Sequence, residues 1–319
     1  MFRRKRAYLW KSREYHKYNV FMRNFLIALV YVLLFFSFFT WVYHPFSFKK
    51  DKTVQPASIG EPSFLPSVRR ETSLQKVDER VTILFVGDIM LSRAVGRKMQ
   101  AEANWRYPFL EIAEILRGAD ITFGNLEGPV STRGHKVGSI YSFRADPLVL
   151  EGLAFAGFDV LSIANNHIWD YGKDAVGDTM MLLKVKGIDT IGVGQTYDEG
   201  HQGMLREVRG IKIVFLAYTD LVAPSLGGVE AQPAISYLSK EILQKDIHDA
   251  KARADVVIVS IHTGEEYSLE PTYKQQEFSK IAIDSGANIV VGHHSHIVQR
   301  LEHYGQGLIA YSLGNFIFD

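Results

Sequence analysis

Beyond Arg80 the sequence predicts an α/β domain, and three observations lead there. Short β-branched runs alternate with helix-length amphipathic stretches. Five of the runs end in clusters of Asp, Asn, Glu and His. Hydrophobic residues make up 47% of a 319-residue chain, enough for a sizeable buried core. Strands are expected over Val81 to Gly87, Ile121 to Gly124, Val160 to Ala164, Thr190 to Val193, Ile211 to Tyr218, Val256 to Ile261 and Ile289 to Val291. Helices are expected over Pro108 to Arg117, Pro147 to Ala156, Asp174 to Lys186, Ser239 to Arg253 and Thr272 to Ser285. Hairpins are expected around Arg209-Gly210 and around Gly305 to Gly307, where glycine supplies the turn.

The segment before this domain has a different character. The whole chain has a formal charge of +1, but residues 1–24 hold eight Lys or Arg against Glu14, which leaves the remainder at −6. The basic charge is local, so a globally basic nucleic-acid binder is disfavoured and no nucleic acid is expected as a partner. Phe25 to Tyr43 carries no charge, and nineteen helical residues at about 1.5 Å each span roughly 28 Å of hydrocarbon. Residues 1–24 are therefore expected in the cytoplasm, residues 25–43 as one N-terminal transmembrane helix in contact with membrane lipid, and everything beyond on the outer side. A cleaved signal peptide is the competing reading, but Ser37 and Thr40 sit among Phe, Trp and Val rather than in a small-x-small site. Pro45, Pro56, Pro62 and Pro66 mark residues 44–79 as a flexible linker to an extracytoplasmic domain over residues 80–319. Cysteine is absent, so disulfides, thiolate metal sites and cysteine nucleophiles are excluded.

The strand ends read FVGDIM, FGNLEGPVS, SIANNHIWDYG, SIHTGEEY and VVGHHSHIVQ. Open α/β sheets bind ligands at the carboxyl ends of their strands, so these loops are expected to meet at one rim. The set available there is Asp88, Asn125, Glu127, Asn166, His167, Asp170, His262, Glu266, His293, His294 and His296. Imidazoles and carboxylates without thiolates suit zinc, manganese or iron. His294 and His296 are expected on one side of the strand exit, with His293 pointing away or bracing the others. Singly, each has an ordinary reading: Asp88 as a turn residue, Asn165-Asn166 as an Asx turn, His262 as a satisfied core histidine, Glu265-Glu266 as a solvated loop. No P-loop and no Gly-x-Ser-x-Gly elbow is present.

The ordered set GDIMLSR, NLEGPVS, ANNHIWDYG, HTGEEYSLEPTYKQ, GHHSHIVQ and YSLGNFIFD resembles the capsule biosynthesis CapA family, the poly-γ-glutamate synthesis proteins, from about Val81 to Asp319. That domain is similar to calcineurin-like metallophosphoesterases. The resemblance implies a layered core, mostly β-sheet, with flanking helices. It also implies one or two divalent ions held among Asp88, Asn125, Glu127, Asn166, His262, His294 and His296, with His167, Asp170 and Glu266 in catalytic roles. Two positions depart from the phosphoesterase pattern: Met90 stands where a histidine follows the first aspartate, and Asn125 where a bridging aspartate is expected. Family members usually continue past YSLGNFIFD, so the chain is expected to be a piece truncated at its C-terminal end.

Two functions follow from the resemblance. One is metal-dependent hydrolysis or transfer on an anionic polymer, poly-γ-glutamate foremost, by an enzyme anchored at the cell membrane. The other is a non-catalytic accessory subunit that meets the membrane subunits of a polymer synthase or exporter through its anchor. An ordinary metal-dependent phosphoesterase stands behind both.

Overall fold

The computed structural model describes residues 80–138 and 140–319; the basic segment, the expected anchor and the linker lie outside the described residues. Among the described residues, no helix is long and apolar enough to cross a membrane.

The domain is built on two main sheets. The first holds β1 (Ile83–Ile89), β2 (Ile121–Leu126), β3 (Val160–Ser162), β4 (Asp189–Ile191) and β13 (Asn315–Ile317), all parallel, in the order β13-β1-β2-β3-β4. The second holds β6 (Met204–Val208), β7 (Ile211–Thr219), β9 (Val256–His262), β10 (Ile289–His293), β11 (Leu301–Tyr304) and β12 (Gly307–Ala310), in the order β11-β12-β10-β9-β7-β6. Its four central strands are parallel, and an antiparallel hairpin closes each edge. Both expected hairpins are present, and Arg209 and Gly210 both take positive φ between the paired Val208 and Ile211. A short ribbon of β5 (Val193–Gly194) and β8 (Ala234–Ile235) stands apart. The single strand expected over Thr190 to Val193 is broken into β4 and β5 at Gly192, whose φ of +84° turns the chain.

Period-two alternation sorts the side chains of the second sheet. Ile213, Phe215 and Ala217 of β7 join Ile258 of β9 in the core shared with the first sheet, where the rings of Phe123 and Phe215 stack at 5.8 Å. Val214, Leu216 and Tyr218 face the other way with Val257, Val259 and Ile261. They pack on Leu243, Ile247 and Ala250 of α6 (Lys240–Lys251) and on Ala282 and Ile283 of α7 (Tyr273–Asp284). Thr272 and Gln275 close a capping box at the start of α7, where the sequence places the helix. The first sheet packs against α1 (Arg93–Ala101), α2 (Ala113–Arg117), α3 (Leu150–Ala156) and α4 (Gly172–Val185) through Met99, Leu116, Leu153 and Val176. α5 (Tyr197–His201) follows the ribbon strand β5.

Along the sandwiched faces the residue type changes from start to end. Ile121 and Phe123 lead to Asn125, Ile258 and Ser260 to His262, and Ile289 and Val291 to His293. The strand starts therefore supply the core, and the strand ends bury polar groups between two sheets. Burial without hydrogen bonds costs each such group about 1–3 kcal/mol, so their placement needs a compensating partner.

Candidate metal centre at the strand ends

Two glycines let the chain approach closely enough to assemble the site. A Cβ on Gly87 would meet the Gly314 carbonyl at 1.9 Å, and one on Gly292 the Tyr311 carbonyl at 1.9 Å. Gly87 precedes Asp88, at an irregularity in the β1–β2 register, and Gly292 precedes His293. The two glycines thereby let β1 close on the chain entering β13 and β10 on the chain leaving β12, and set their next residues into the gap between the sheets.

Asp88 is fully buried. Its Oδ1 accepts from Asn125 Nδ2 at 2.8 Å, and its Oδ2 accepts the His294 backbone N–H at 3.2 Å. His293 Nδ1 lies 3.2 Å from Oδ1, though out of line for a hydrogen bond, and His296 Nδ1 lies 3.6 Å from Oδ2. Burial acts to raise the Asp88 pKa, but His293, His296 and the Asn125 amide outweigh it and hold the carboxyl below its ordinary value.

Glu127 presents the opposite case. Both of its carboxylate oxygens are buried without a hydrogen-bond partner. His167 Nε2 stands 3.8 Å and His296 Nε2 3.9 Å from Oε1. Burial first, and then the charges of Asp88, Glu266 and Asp170, push its pKa well above the ordinary range. An orphaned acid among other acids is a place shaped for a cation. Asp88, Glu127 and His296 can each offer one ligand atom, all within 4.8 Å of one another, so carboxylate and imidazole donors fit a divalent ion here.

The imidazole side comes from the second sheet. His262 Nδ1 lies 3.3 Å from Asn125 Nδ2, and its Nε2 lies 2.9 Å from Asn166 Oδ1. Burial, followed by the neighbouring His294 and His293, pushes the His262 pKa well below its ordinary value. Burial carries His294 down to about 4 against the raising charges of Glu266 and Asp88, and its Nδ1 is buried without a partner. His294 and His296 do face one side, with ring centroids 6.0 Å apart. The cause is a turn rather than strand alternation, because β10 ends at His293 and both residues take positive φ, +91° and +58°. Such backbone costs about 1–3 kcal/mol and is characteristic of functional sites. His293 turns inward, as the bracing alternative expects, rather than away, with its Nδ1 beside Asp88. It lies on the sandwiched face with its ring 6.4 Å from that of His262.

His167 completes the pocket from the loop after β3. Its Nδ1 lies 2.7 Å from Asp170 Oδ2, its ring stacks on Phe143 at 3.9 Å, and Asp170 Oδ2 also accepts the Phe143 N–H at 2.7 Å. Glu266 is exposed at the rim, near enough for its charge to act on Glu127 and His294. All ten expected site residues thus gather at one edge. His293, which the sequence already placed at the rim, stands beside them, and two residues outside the expected set also belong here: Asn165, and Asn315, whose Oδ1 lies 2.8 Å from His296 Nδ1. Asn165 had a visible signal in the paired asparagines, whereas Asn315 lay within YSLGNFIFD with nothing to mark it as part of the site.

The fold and the site define a two-sheet α/β protein with a candidate carboxylate–imidazole metal centre. The family model for the bacterial capsule synthesis protein PGA_cap matches residues 82–319, and the chain belongs to that family. The capsule biosynthesis protein CapA of Bacillus anthracis is 34% identical over 250 residues, which cover 76% of this chain and 61% of that protein. The PGA biosynthesis protein CapA of Bacillus subtilis (strain 168) is 31% identical over 262 residues, covering 81% and 69%. The chain thus spans less than two thirds of the length of the first of these relatives. Among solved structures, the calcineurin-like phosphoesterase YfkN from Bacillus subtilis is similar at 16% identity, covering 68% of this chain and 72% of that one, with a TM-score of 0.42.

Proposed function

We propose that this chain is a membrane-anchored, extracytoplasmic component of poly-γ-glutamate or capsule synthesis that hydrolyses or transfers an anionic polymer with the help of a divalent ion. The observation that carries the reading is Glu127, a buried carboxylate with no hydrogen-bond partner, set between Asp88, His296 and a histidine already oriented by its own aspartate. Asp88, Glu127 and His296 would hold the ion. When bound, such an ion supplies Lewis acidity toward an acyl or phosphoryl oxygen.

The remaining chemistry belongs to the chain itself. Asp170 fixes His167 through Nδ1, which leaves Nε2 on the Glu127 side as the nitrogen that gives or takes a proton. Phe143 covers the ring and excludes water from that face. The Arg93 guanidinium lies 5.5 Å from the Phe143 ring, and that of Arg144 lies 4.2 Å from the Tyr171 ring, so cations border the His167 loop and suit an anionic substrate. The anchor over residues 25–43 would keep the pocket near the membrane where a polymer emerges.

The test offers γ-glutamyl polymer to the full chain in lipid nanodiscs, supplied with manganese, zinc or iron(II), and follows polymer length by gel filtration. Shortened or newly joined chains that vanish in His167→Ala are the expected result. Unchanged length with every ion would remove the catalytic reading and leave a holding role.

A further inference from the structure

The hydrogen bonds at the strand ends fix the orientation of one amide. The His167 backbone N–H donates to Asn165 Oδ1 at 3.2 Å, which leaves Asn165 Nδ2 to donate to the Leu126 carbonyl at 2.9 Å. Two main-chain groups whose roles are fixed therefore set the Asn165 amide. The same Nδ2 donates to Asn125 Oδ1 at 3.1 Å, so Asn125 must turn its own Nδ2 toward Asp88 Oδ1, at 2.8 Å, and toward His262 Nδ1, at 3.3 Å. His262 Nδ1 faces a donor and accepts from it. Its proton is then on Nε2, which donates to Asn166 Oδ1 at 2.9 Å.

We propose that Asn125 makes this a one-ion centre: it denies a second ion both a bridging oxygen and the imidazole tautomer that ion would need. This deepens the proposed function and rests on its assignment of one ion to Asp88, Glu127 and His296. Two divalent ions a few ångströms apart repel about four times as strongly as two unit charges, and paired-ion sites place an anionic bridge between them. Asn125 lies between Asp88 and His262, where such a bridge would stand, and offers N–H groups instead of an oxygen. An ion on His262 Nε2 would need the proton moved to Nδ1, where it would oppose the Asn125 Nδ2 donor. A ligating histidine ordinarily gives its other N–H to an acceptor, and here that acceptor is missing. Asn125→Asp supplies both lacking elements at once. It places a carboxylate beside Asp88 and an acceptor opposite His262 Nδ1, freeing Nε2 to join Asn166 and His294 around a second ion.

The experiment counts manganese bound to the full chain in nanodiscs after removal of free ion, by elemental analysis, for the parent protein and Asn125→Asp, with electron paramagnetic resonance on both. One ion per chain with an isolated-ion spectrum in the parent, rising to two with an exchange-coupled spectrum in Asn125→Asp, is the expected result. Two ions in the parent overturn the inference while leaving the proposed function standing. No ion in the parent overturns both. One ion in a folded Asn125→Asp, with folding checked by its thermal transition, overturns the role given to Asn125. Imidazole nitrogen chemical shifts of the parent protein test the tautomer without any variant. A protonated Nδ1 on His262 in the loaded protein also overturns the inference.

Discussion

Two buried histidines in this molecule each sit at hydrogen-bond distance from an aspartate, and their surroundings give them different tasks. His167 Nδ1 lies 2.7 Å from Asp170, and His201 Nδ1 lies 2.8 Å from Asp246. Both histidines are more than nine-tenths buried. His167 stands in the loop after β3 with its second nitrogen turned toward an unsatisfied acid and the imidazoles of His262, His293, His294 and His296 gathered at the same edge. His201 stands behind the second sheet, on α5, beside a cleft of about 430 Å³ that Lys245, Asp246 and Arg253 of the α6 region also line. There Asp246 is satisfied twice, by His201 and by the Tyr218 hydroxyl at 3.0 Å, while the Tyr197 ring lies 4.2 Å from the imidazole. Arg253 reaches back to the Gln202 carbonyl and ties the same two helices together. A histidine–aspartate pair orients a ring. It becomes chemical only where other unsatisfied groups converge on the free nitrogen.

The largest expected effect separates the two pairs directly. His167→Ala should lower turnover of γ-glutamyl polymer by about 10²–10⁴-fold, the usual contribution of a positioned acid or base, with little loss of bound metal. His201→Ala should leave turnover unchanged and lower the thermal midpoint, because Asp246 loses a buried partner. Equal losses of turnover in both variants would break the distinction.

The reactive side of this contrast was largely legible in the sequence, the His201 pair was not, and what was missed has a physical cause. Strand-end clusters such as NLEG and HTGEE announce the rim because open sheets expose their carboxyl ends, and all ten expected residues meet there. The continuous apolar runs of β7 and β9 gave strands but not the existence of two facing sheets, since a run describes one strand and says nothing of which sheet it joins. Gly192 split an expected strand because a positive φ leaves no trace beyond the glycine itself. His294 and His296 share a side through a turn that period-two reasoning does not describe, since both take positive φ. The helix α1 over Arg93–Ala101 was overlooked, since its RAVGRKMQA sequence buries only Met99 and offers little apolar periodicity. The amide chain through Asn165 lies in long-range contacts that no local pattern encodes.

A second prediction sharpens the contrast through pH. The pocket keeps His262 and His294 neutral, mainly through burial, and His294 titrates at about 4 in the folded chain. An unfolded histidine binds its proton near pH 6.5. Above that pH both states are neutral, so the fold is at full strength. As pH falls from 6.5 toward 4, the unfolded chain takes up the proton first and stability drains away; below 4 the His294 contribution levels off. For His294 the loss is about 3 kcal/mol, from about 1.4 kcal/mol per unit. Urea midpoints of the metal-free full chain, compared with those of His294→Asn across this window, isolate the contribution. Parallel curves for the two proteins would count against a buried neutral imidazole at this position.

The smallest effect probes the supporting pair. Tyr218 is fully buried, and burial first, then the charge of Asp246, holds its hydroxyl pKa well above the ordinary value, so it remains a donor to Asp246. Tyr218→Phe keeps the ring among Val257, Val259 and Leu243 and removes only that hydrogen bond. A bond to a charged acceptor contributes about 1.5–3 kcal/mol, and His201 still engages the same carboxylate, so a loss of about 2 kcal/mol in unfolding free energy is expected. Metal content and polymer turnover should not move, because the hydroxyl lies on the face of β7 turned away from the sandwiched core. A variant that lost bound ion at unchanged stability would show that the outer face of the second sheet feeds the strand-end pocket, and the division between an orienting pair and a reactive one would fall with it.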